Sequence, residues 1–314
     1  MIRTPLCDLL AIEYPIIQGG MAWVATAELA AAVSEAGGLG IIGGGDCPPD
    51  YVRQQVRHAK HLTDRPFGVN IPLFSPHVSA VLDVCAEEGV KVIMTGAGNP
   101  AAYVPRIKQA GMMVIPVVAS VALAKRLERG GVDALVAEGM ESGGHVGDVG
   151  TLPLVPQVVD AVKIPVIAAG GIADGRGLVA ALALGAQGIQ MGTRFVCVTE
   201  CIAHENYKMR IVKAGDRATT ITGLSLGHPV RAIRNQMTRE FAELEKTGCT
   251  EEEIIRSGTG RLRRAAMDGD VEYGSVMSGQ SCGLITDIAP AAEVIVRIMR
   301  QADECLQGLA QYLR

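Results

Sequence analysis

Short apolar runs recur through the first two-thirds of the chain, and an amphipathic segment follows each of them. The runs are rich in Ile and Val and have no polar face, a pattern typical of parallel strands that are buried on both sides. Successive runs begin about 20 to 30 residues apart, the length of a strand plus a crossover helix. Eight runs meet this description: 15–20, 39–43, 67–71, 90–95, 113–119, 134–137, 165–169 and 188–191.

Helix signals lie between the runs. Thr26 is placed to cap a helix that runs through Glu35 and ends at Gly37, and Asp174 is placed to cap a helix that ends at Gly185. Eight strand–helix units predict an α/β fold of the (β/α)8 TIM barrel type, because eight parallel strands close into such a barrel. An open, doubly wound sheet is the weaker alternative.

The pattern changes after the eighth run, where charged helical stretches over 230–246 and 251–267 replace the apolar runs. We interpret 1–195 as the barrel, 196–290 as a helical insertion or lid, and 291–314 as a C-terminal helix that packs back on the barrel. An addition after strand eight lies at the carboxyl ends of the strands, where barrel active sites are found. Arginines of the insertion, among them Arg231, Arg234 and Arg263, are interpreted as a solvated helix face, with docking of acidic or phosphorylated ligands as the alternative.

Composition narrows the function classes. The chain has 314 residues, of which 48% are hydrophobic and 4% aromatic, and its formal net charge is −4. A nucleic-acid binder needs a basic surplus and aromatic platforms for stacking, and this chain has neither. No uncharged apolar run reaches the roughly 18 residues of a membrane-spanning helix. Arg3, Asp8 and Glu13 interrupt any signal peptide, so we expect no nucleic-acid partner and no membrane span.

The eight cysteines are scattered along the chain and form no CxxC pair. That spacing argues against a zinc site and against a disulfide scaffold. We therefore expect reduced thiols in a cytoplasmic protein, and no metal ligands.

Many of the 38 glycines follow the predicted strands directly. Strand seven ends in Gly170-Gly171 and strand eight in Gly192-Thr193. In barrels these two loops commonly form a phosphate site, since glycine lets backbone N–H groups approach the phosphate oxygens and a hydroxyl adds a donor. Tight turns alone are the simpler interpretation of any single glycine cluster. We predict a phosphate site at these four residues.

Three polar side chains are candidates for chemistry or ligand binding at the same edge. His145 lies on a glycine-rich loop after strand six, where an imidazole can act as general acid or base or hold an anionic oxygen. Asn70 ends strand three and can bond the edge of a heterocycle, or cap the next helix. Glu138 can accept from a sugar hydroxyl, or form a structural ion pair. Ser120, after strand five, is a weaker candidate for the lining.

These segments also resemble the FMN-dependent enoyl-acyl-carrier-protein reductase II family, within the wider nitronate monooxygenase and 2-nitropropane dioxygenase-like superfamily. The resemblance covers nearly the whole chain in order. It rests on PIIQGGMAW (15–23), GGLGIIGGG (37–45), GVNI (68–71), EGMESGGH (138–145), AAGGIA (168–173), QMGTRF (190–195), HPVRA (228–232) and SVMSGQ (275–280).

The resemblance implies an enzyme of fatty-acid biosynthesis that reduces trans-2-enoyl thioesters on acyl carrier protein with NADH or NADPH, through FMN at the strand ends. It also implies His145 as the catalytic residue, a homodimer, and activation by a monovalent cation whose ligands it does not identify. The loop at 275–280 would return toward the flavin. The cofactor contacts that it implies are Gly20, Met21, Ala22, Asn70, Glu138, Gly143, Gly170, Gly171, Gln190, Gly192 and Thr193.

Two other functions stay open at this point. The first is a nitronate monooxygenase, in which His145 abstracts an α-proton and oxygen reoxidises the flavin. The second is a flavin- or phosphate-binding regulatory barrel without turnover, which would not need the histidine.

Overall fold

Eight parallel strands form a barrel in the computed structural model, which describes residues 2–247 and 250–312. The strands are β1 (Ile16–Gln18), β2 (Gly40–Gly43), β3 (Phe67–Pro72), β4 (Val92–Gly96), β5 (Met113–Val118), β6 (Leu135–Glu138), β8 (Val166–Ala169) and β9 (Gly188–Met191), with β7 (Gly144–His145), β10 (Thr219–Thr222) and β11 (Val230–Ile233) in a second sheet. The TIM barrel prediction is confirmed, and each barrel strand lies at its predicted apolar run.

Helices cover the outside of the barrel and build the region after β9. They are α1 (Pro5–Leu10), α2 (Ala27–Glu35), α3 (Pro49–Leu62), α4 (Val78–Glu87), α5 (Val104–Gln109), α6 (Val121–Arg129), α7 (Thr151–Ala161), α8 (Gly175–Ala183), α9 (Thr193–Val196), α10 (Glu205–Val212), α11 (Gln236–Lys246), α12 (Glu251–Gly258), α13 (Arg261–Ala266) and α14 (Ala291–Ala310). In the described part of the chain, no helix is long and apolar enough to cross a membrane.

The barrel closes between β1 and β2 with a short seam. A single bridge pairs Ile17 with Leu39, and the buried side chain of Gln18 extends it. The Gln18 amide donates from Nε2 to the Ile41 carbonyl at 3.1 Å and accepts from the Ile41 N–H at 3.0 Å. The side chain thus supplies two bonds of the kind that a longer pair of strands would make with backbone alone.

Two layers of apolar side chains hold the barrel. Inward residues such as Ile115, Val136 and Ile167 form an inner cluster, and α1 adds Leu6 and Leu10 to it. The Thr4 hydroxyl donates to the carbonyl of Gln187, just before β9 begins, so α1 lies at the amino ends of the strands. Burial of a leucine stabilises a fold by about 1.5–3 kcal/mol. The helix therefore plugs the bottom of the barrel and leaves the opposite end free for a ligand.

The two predicted helix caps have different outcomes. Asp174 accepts from the N–H groups of Arg176 at 3.0 Å and Gly177 at 3.3 Å, so it caps α8 as predicted. Thr26 occupies the N-cap position of α2, but its side chain does not accept a hydrogen bond from the first turn. The cap prediction for Thr26 is wrong, although the helix bounds are correct.

The insertion is not purely helical. The predicted helix over 230–246 is wrong for its first four residues, which form β11 and pair antiparallel with β10 and with β7. The helix starts later because Asn235 caps α11 through the Thr238 N–H, while the Thr238 hydroxyl accepts from the Asn235 N–H. The division of the chain into three units itself stays a prediction.

Arg231 alternates with Val230 and Ala232 along β11, and the strand turns it inward. It is 4% exposed, and its Nε donates to the Met140 carbonyl at 2.9 Å. Its assignment to a solvated helix face is therefore wrong. Side chains alternate between the two faces of a strand, so Arg231 lies on the buried face of β11.

The predicted C-terminal helix begins at Ala291 and packs against α8. A Cβ on Gly175 would lie 2.3 Å from the Ala302 nitrogen, so the two helices touch through backbone. The Glu200 carboxylate accepts from the Ala291 N–H at 3.0 Å and caps the helix. Residues 313 and 314 of the prediction lie outside the described residues.

Candidate active site

A cavity of about 620 Å3 opens at the carboxyl ends of the barrel strands. All twelve predicted site residues contribute to its lining. They are Gly20, Met21, Ala22, Asn70, Glu138, Gly143, His145, Gly170, Gly171, Gln190, Gly192 and Thr193. Their convergence follows from the barrel, since the ends of eight parallel strands meet on one face.

Glycine backbone forms one wall of the cavity, which we call the glycine wall: Gly20, Gly170, Gly171 and Gly192. Gly170 and Gly171 have φ of +93° and +74°, left-handed values that other residues rarely adopt. A Cβ on Gly20 would lie 2.2 Å from the Asn70 Cβ, whereas one on Gly192 would meet no described atom closer than Met21 Sδ at 3.4 Å. Packing of the fold thus requires glycine at position 20, whereas a Cβ at position 192 would make only an ordinary van der Waals contact with Met21.

Glu141 and Thr151 hold the glycine wall in place from behind. The Glu141 carboxylate accepts from the N–H and the hydroxyl of Thr151, both at 2.9 Å. The same hydroxyl lies 3.0 Å from the Gly170 carbonyl. The carboxylate therefore occupies the N-terminus of α7 and fixes it to the end of β8.

The polar groups of this wall suit an anionic and polar ligand. The Thr193 hydroxyl accepts from the Gly279 N–H at 3.0 Å and keeps its own proton to donate. Gln190 is buried, and no described group hydrogen bonds to its Oε1. The described lining contains no lysine or arginine. An anion here must therefore be held by N–H dipoles and hydroxyls.

Side chains form another part of the lining, which we call the side-chain wall: Phe74, His145, Tyr207 and Leu262. His145 ends β7 and pairs with Val230 of β11. Its ring lies 6.1 Å from the Phe74 ring, at a tilt of 47°. Desolvation, and second the nearby charge of His228, lower the pKa of His145. The imidazole is therefore neutral at pH 7 and can both donate and accept a hydrogen bond.

Glu138 ends β6 beneath the cavity. Burial raises its pKa to about 7, against the weaker opposing effect of a hydrogen bond from Ser142. Desolvation disfavours the charged form of a carboxyl group, so Glu138 is largely protonated below neutral pH. It can then donate a hydrogen bond as well as accept one.

The loop at 275–280 returns to the cavity, as the resemblance implies. Met277 and Gly279 lie in the lining, and the Tyr207 hydroxyl donates to the Met277 carbonyl at 2.8 Å. A Cβ on Gly143 would lie 2.7 Å from the carbonyl carbon of Ser278. Gly143 is thus required where the loop that carries His145 and the returning loop touch, whatever it does for a cofactor.

Three residues of the side-chain wall are not predicted by the sequence pattern. Phe74 follows β3 and could have been found by its place after a strand, whereas Tyr207 and Leu262 come from the insertion, where no sequence signal marks them. The prediction that Ser120 lines the site is wrong, since Ser120 is not part of the described lining. Its hydroxyl instead caps α6 by accepting from the Leu123 N–H at 3.3 Å. In the described ranges, no three His, Cys, Asp or Glu residues gather as a metal site.

The sequence and the fold are similar to those of known proteins. The nitronate monooxygenase family model matches residues 3–81 and 75–301. Among solved structures, FabK from Thermotoga maritima is 51% identical, with a TM-score of 0.97 over 100% of both chains. The two matches together cover the whole chain, including the residues that line the cavity.

Two curated relatives are similar over nearly their full lengths. One is the (3aS,4S,5R,7aS)-5-hydroxy-7a-methyl-1-oxo-octahydro-1H-indene-4-carboxyl-CoA dehydrogenase of Mycobacterium tuberculosis, which is 35% identical over 98% of each chain. The other is a probable nitronate monooxygenase of Staphylococcus saprophyticus, 34% identical over 97% of this chain and 99% of its own. The names of both are those of oxidoreductases.

Proposed function

The chain belongs to the nitronate monooxygenase family, a family of oxidoreductases, and from that premise we propose that it is an FMN-dependent enoyl-acyl-carrier-protein reductase. The substrates would be trans-2-enoyl thioesters, with NADH or NADPH as the reductant. The observation that carries the choice of reaction is the match to FabK, an enoyl-acyl-carrier-protein reductase II, at 51% identity over the complete chain.

The cavity fits FMN in three respects. The glycine wall offers backbone to a large flat ring system and to its phosphate, and Thr193 adds a hydroxyl donor. The buried Gln190 Oε1 needs a donor, which the polar groups of a flavin provide. Asn70 and Glu138 place an amide and a carboxyl group toward the same space. When bound, FMN supplies the hydride chemistry between the nicotinamide and the β-carbon of the enoyl thioester.

The chain's own residues orient the substrate and stabilise charge. His145 is neutral at pH 7 and accessible from the cavity, so its N–H can donate to the thioester carbonyl oxygen, where negative charge develops during reduction. The proton that the α-carbon needs would come from solvent, and the ring could relay it in its imidazolium form. The Phe74 ring lies 6.1 Å from the His145 ring and flanks one side of the imidazole.

The substrate class has independent support from a relative. The name of the Mycobacterium tuberculosis protein includes a carboxyl-CoA thioester, and that protein matches 98% of this chain. Thioesters of CoA and of acyl carrier protein share the pantetheine arm. A family member that acts on one therefore supports a thioester substrate here.

Nitronate oxidation is the second candidate function. The family model and the Staphylococcus relative carry that name, and a neutral His145 is suited to proton abstraction next to a nitro group. NADH is not required in this reaction, since oxygen takes the electrons.

One comparison separates the two functions. Flavin-loaded protein is mixed with NADH and crotonyl-CoA without oxygen, and separately with propyl nitronate and oxygen without NADH. We expect crotonyl-dependent oxidation of NADH in the first mixture. Nitronate-dependent oxygen uptake without any thioester-dependent reaction would overturn the reductase proposal.

Two further features are proposed on the resemblance alone. A homodimer is tested by light scattering of the purified protein. Activation by a monovalent cation is tested by replacing K⁺ with choline at constant ionic strength.

A further inference from the structure

The backbone of Trp23 is strained at the mouth of the cavity. Trp23 is the chain's single tryptophan, has φ of +69°, and is 38% exposed within the lining. A bulky residue pays a free-energy cost in this left-handed region, and such outliers concentrate at functional sites. The strained backbone therefore holds a partly exposed indole at the mouth, whereas a tryptophan is usually buried more completely.

Arg263 lies over this indole. Its guanidinium carbon is 6.0 Å from the centre of the Trp23 ring, within the range of a cation–π contact. The neighbouring residue Leu262 lines the cavity, so α13 brings the cation to the mouth. Since the described lining holds no lysine or arginine, Arg263 adds a positive charge at a place where the cavity itself has none.

The ion pair of Arg263 is loose. Its guanidinium reaches Asp268 only at 3.4–3.5 Å, and about half of each side chain is exposed. A charge-assisted hydrogen bond of full strength is closer to 2.7–2.9 Å. An incoming anion can therefore compete for this guanidinium at small cost.

The other two arginines of α13 differ in this respect. Arg264 donates from Nε to Asp270 at 2.7 Å and lies over Tyr273. Arg261 donates to the carbonyls of Ser257 and Tyr273 at 3.0 and 2.9 Å. Both guanidiniums are committed to the insertion itself, whereas that of Arg263 faces the mouth.

We propose that Trp23 and Arg263 form a docking point for a phosphate group on the arm of an incoming substrate. This inference rests on the proposed function, because the nicotinamide dinucleotide and the phosphopantetheine arm of an acyl thioester both carry phosphate close to a chain that must enter the cavity. The indole holds the guanidinium beside the entrance, and the planar fork of the guanidinium binds the phosphate oxygens.

Kinetics on the flavin-loaded protein identify which phosphate is bound. The variant is Arg263→Gln, and Arg264→Gln is the matched control on the same helix. In Arg263→Gln we expect KM to rise about fivefold, the effect of one partly exposed charge-assisted contact. A rise for NADH alone assigns the dinucleotide phosphate. A rise for crotonyl-CoA relative to crotonyl-N-acetylcysteamine, which has no phosphate, assigns the thioester arm.

Fluorescence keeps the test independent of turnover. Because Trp23 is the single tryptophan, its emission reports directly on a ligand at the mouth. We expect ADP or 4′-phosphopantetheine to change this emission, with about fivefold weaker binding in Arg263→Gln and unchanged binding in Arg264→Gln. The phosphate site would be overturned if each phosphorylated probe bound no better than its unphosphorylated counterpart, ADP against adenosine and 4′-phosphopantetheine against pantetheine, or if both variants weakened binding equally. This result is readable even if the protein turns over no enoyl thioester.

Discussion

The glycine wall and the side-chain wall of the cavity are built in different ways. The glycine wall consists of backbone at the ends of β1, β8 and β9, and its shape is fixed as soon as the barrel closes. The side-chain wall needs Tyr207 and Leu262 from the insertion as well as His145 from β7. The first wall is therefore a property of the barrel, and the second is a property of how the insertion docks on it. On the proposed function, we expect FMN retention and catalysis to be separable in such a site.

Removing the imidazole breaks the side-chain wall alone and has the largest expected effect. In His145→Ala we expect turnover of enoyl thioester to fall about 10²–10⁴-fold, as for loss of a general acid or base. The bound flavin, measured by its visible absorbance, stays at the wild-type level because the glycine wall is intact. His58→Ala, which removes an exposed histidine beside Glu28, is the control. Loss of flavin together with activity would show that the two walls are not separable.

Alanine substitutions on the glycine wall test which glycines serve the fold. Gly20→Ala places a Cβ at 2.2 Å from the Asn70 Cβ, so we expect the free energy of unfolding to fall by about 3 kcal/mol. Gly192→Ala meets no described atom closer than 3.4 Å. It should leave thermal stability unchanged but weaken FMN binding about tenfold, an effect of ~1.4 kcal/mol. Equal melting temperatures for the two variants would contradict this distinction.

The buried carboxyl group of Glu138 makes the stability of the protein depend on pH. Its pKa rises from 4.5 to about 7 on folding, so the folded protein binds the proton more tightly. The stabilisation is complete below pH 4.5 and is lost as the pH rises through 7. Without added FMN, Glu138→Gln should remove this dependence and be more stable than wild type at pH 8 by on the order of 3 kcal/mol. Melting curves at pH 5 and pH 8 measure it, and parallel curves for both proteins would count against a buried, protonated carboxyl.

The smallest expected effect concerns the attachment of the insertion. Tyr207→Phe removes the hydroxyl that donates to the Met277 carbonyl, and one neutral hydrogen bond contributes about 1 kcal/mol. We expect the melting temperature to fall by a few degrees. Turnover should fall only slightly, because the loop at 275–280 loses one of its contacts. Calorimetry on wild type and variant gives the value, and an unchanged transition would mean that the loop is held by other contacts.

The sequence predicts the glycine wall better than the side-chain wall for a physical reason. Apolar runs identify the strands, and parallel topology brings their ends together, so Gly170 and Gly192 follow from local pattern alone. Tyr207 and Leu262 reach the cavity only through the docking of α10 and α13, which no local pattern encodes. The pattern does not predict the strand at Val230, because four residues with a period of two are too few to stand out next to the charged helix that follows.

His145 belongs by its backbone to the same sheet as the insertion, since β7 pairs with β11. The insertion consequently cannot be exchanged between barrels as an independent unit. A graft that shifts β11 by one residue would exchange the faces of Val230 and Arg231 and move the partner of the histidine. We therefore expect the loop that carries His145 and the segment at 219–233 to be inherited together. Chimeras within the family have to be cut outside both segments.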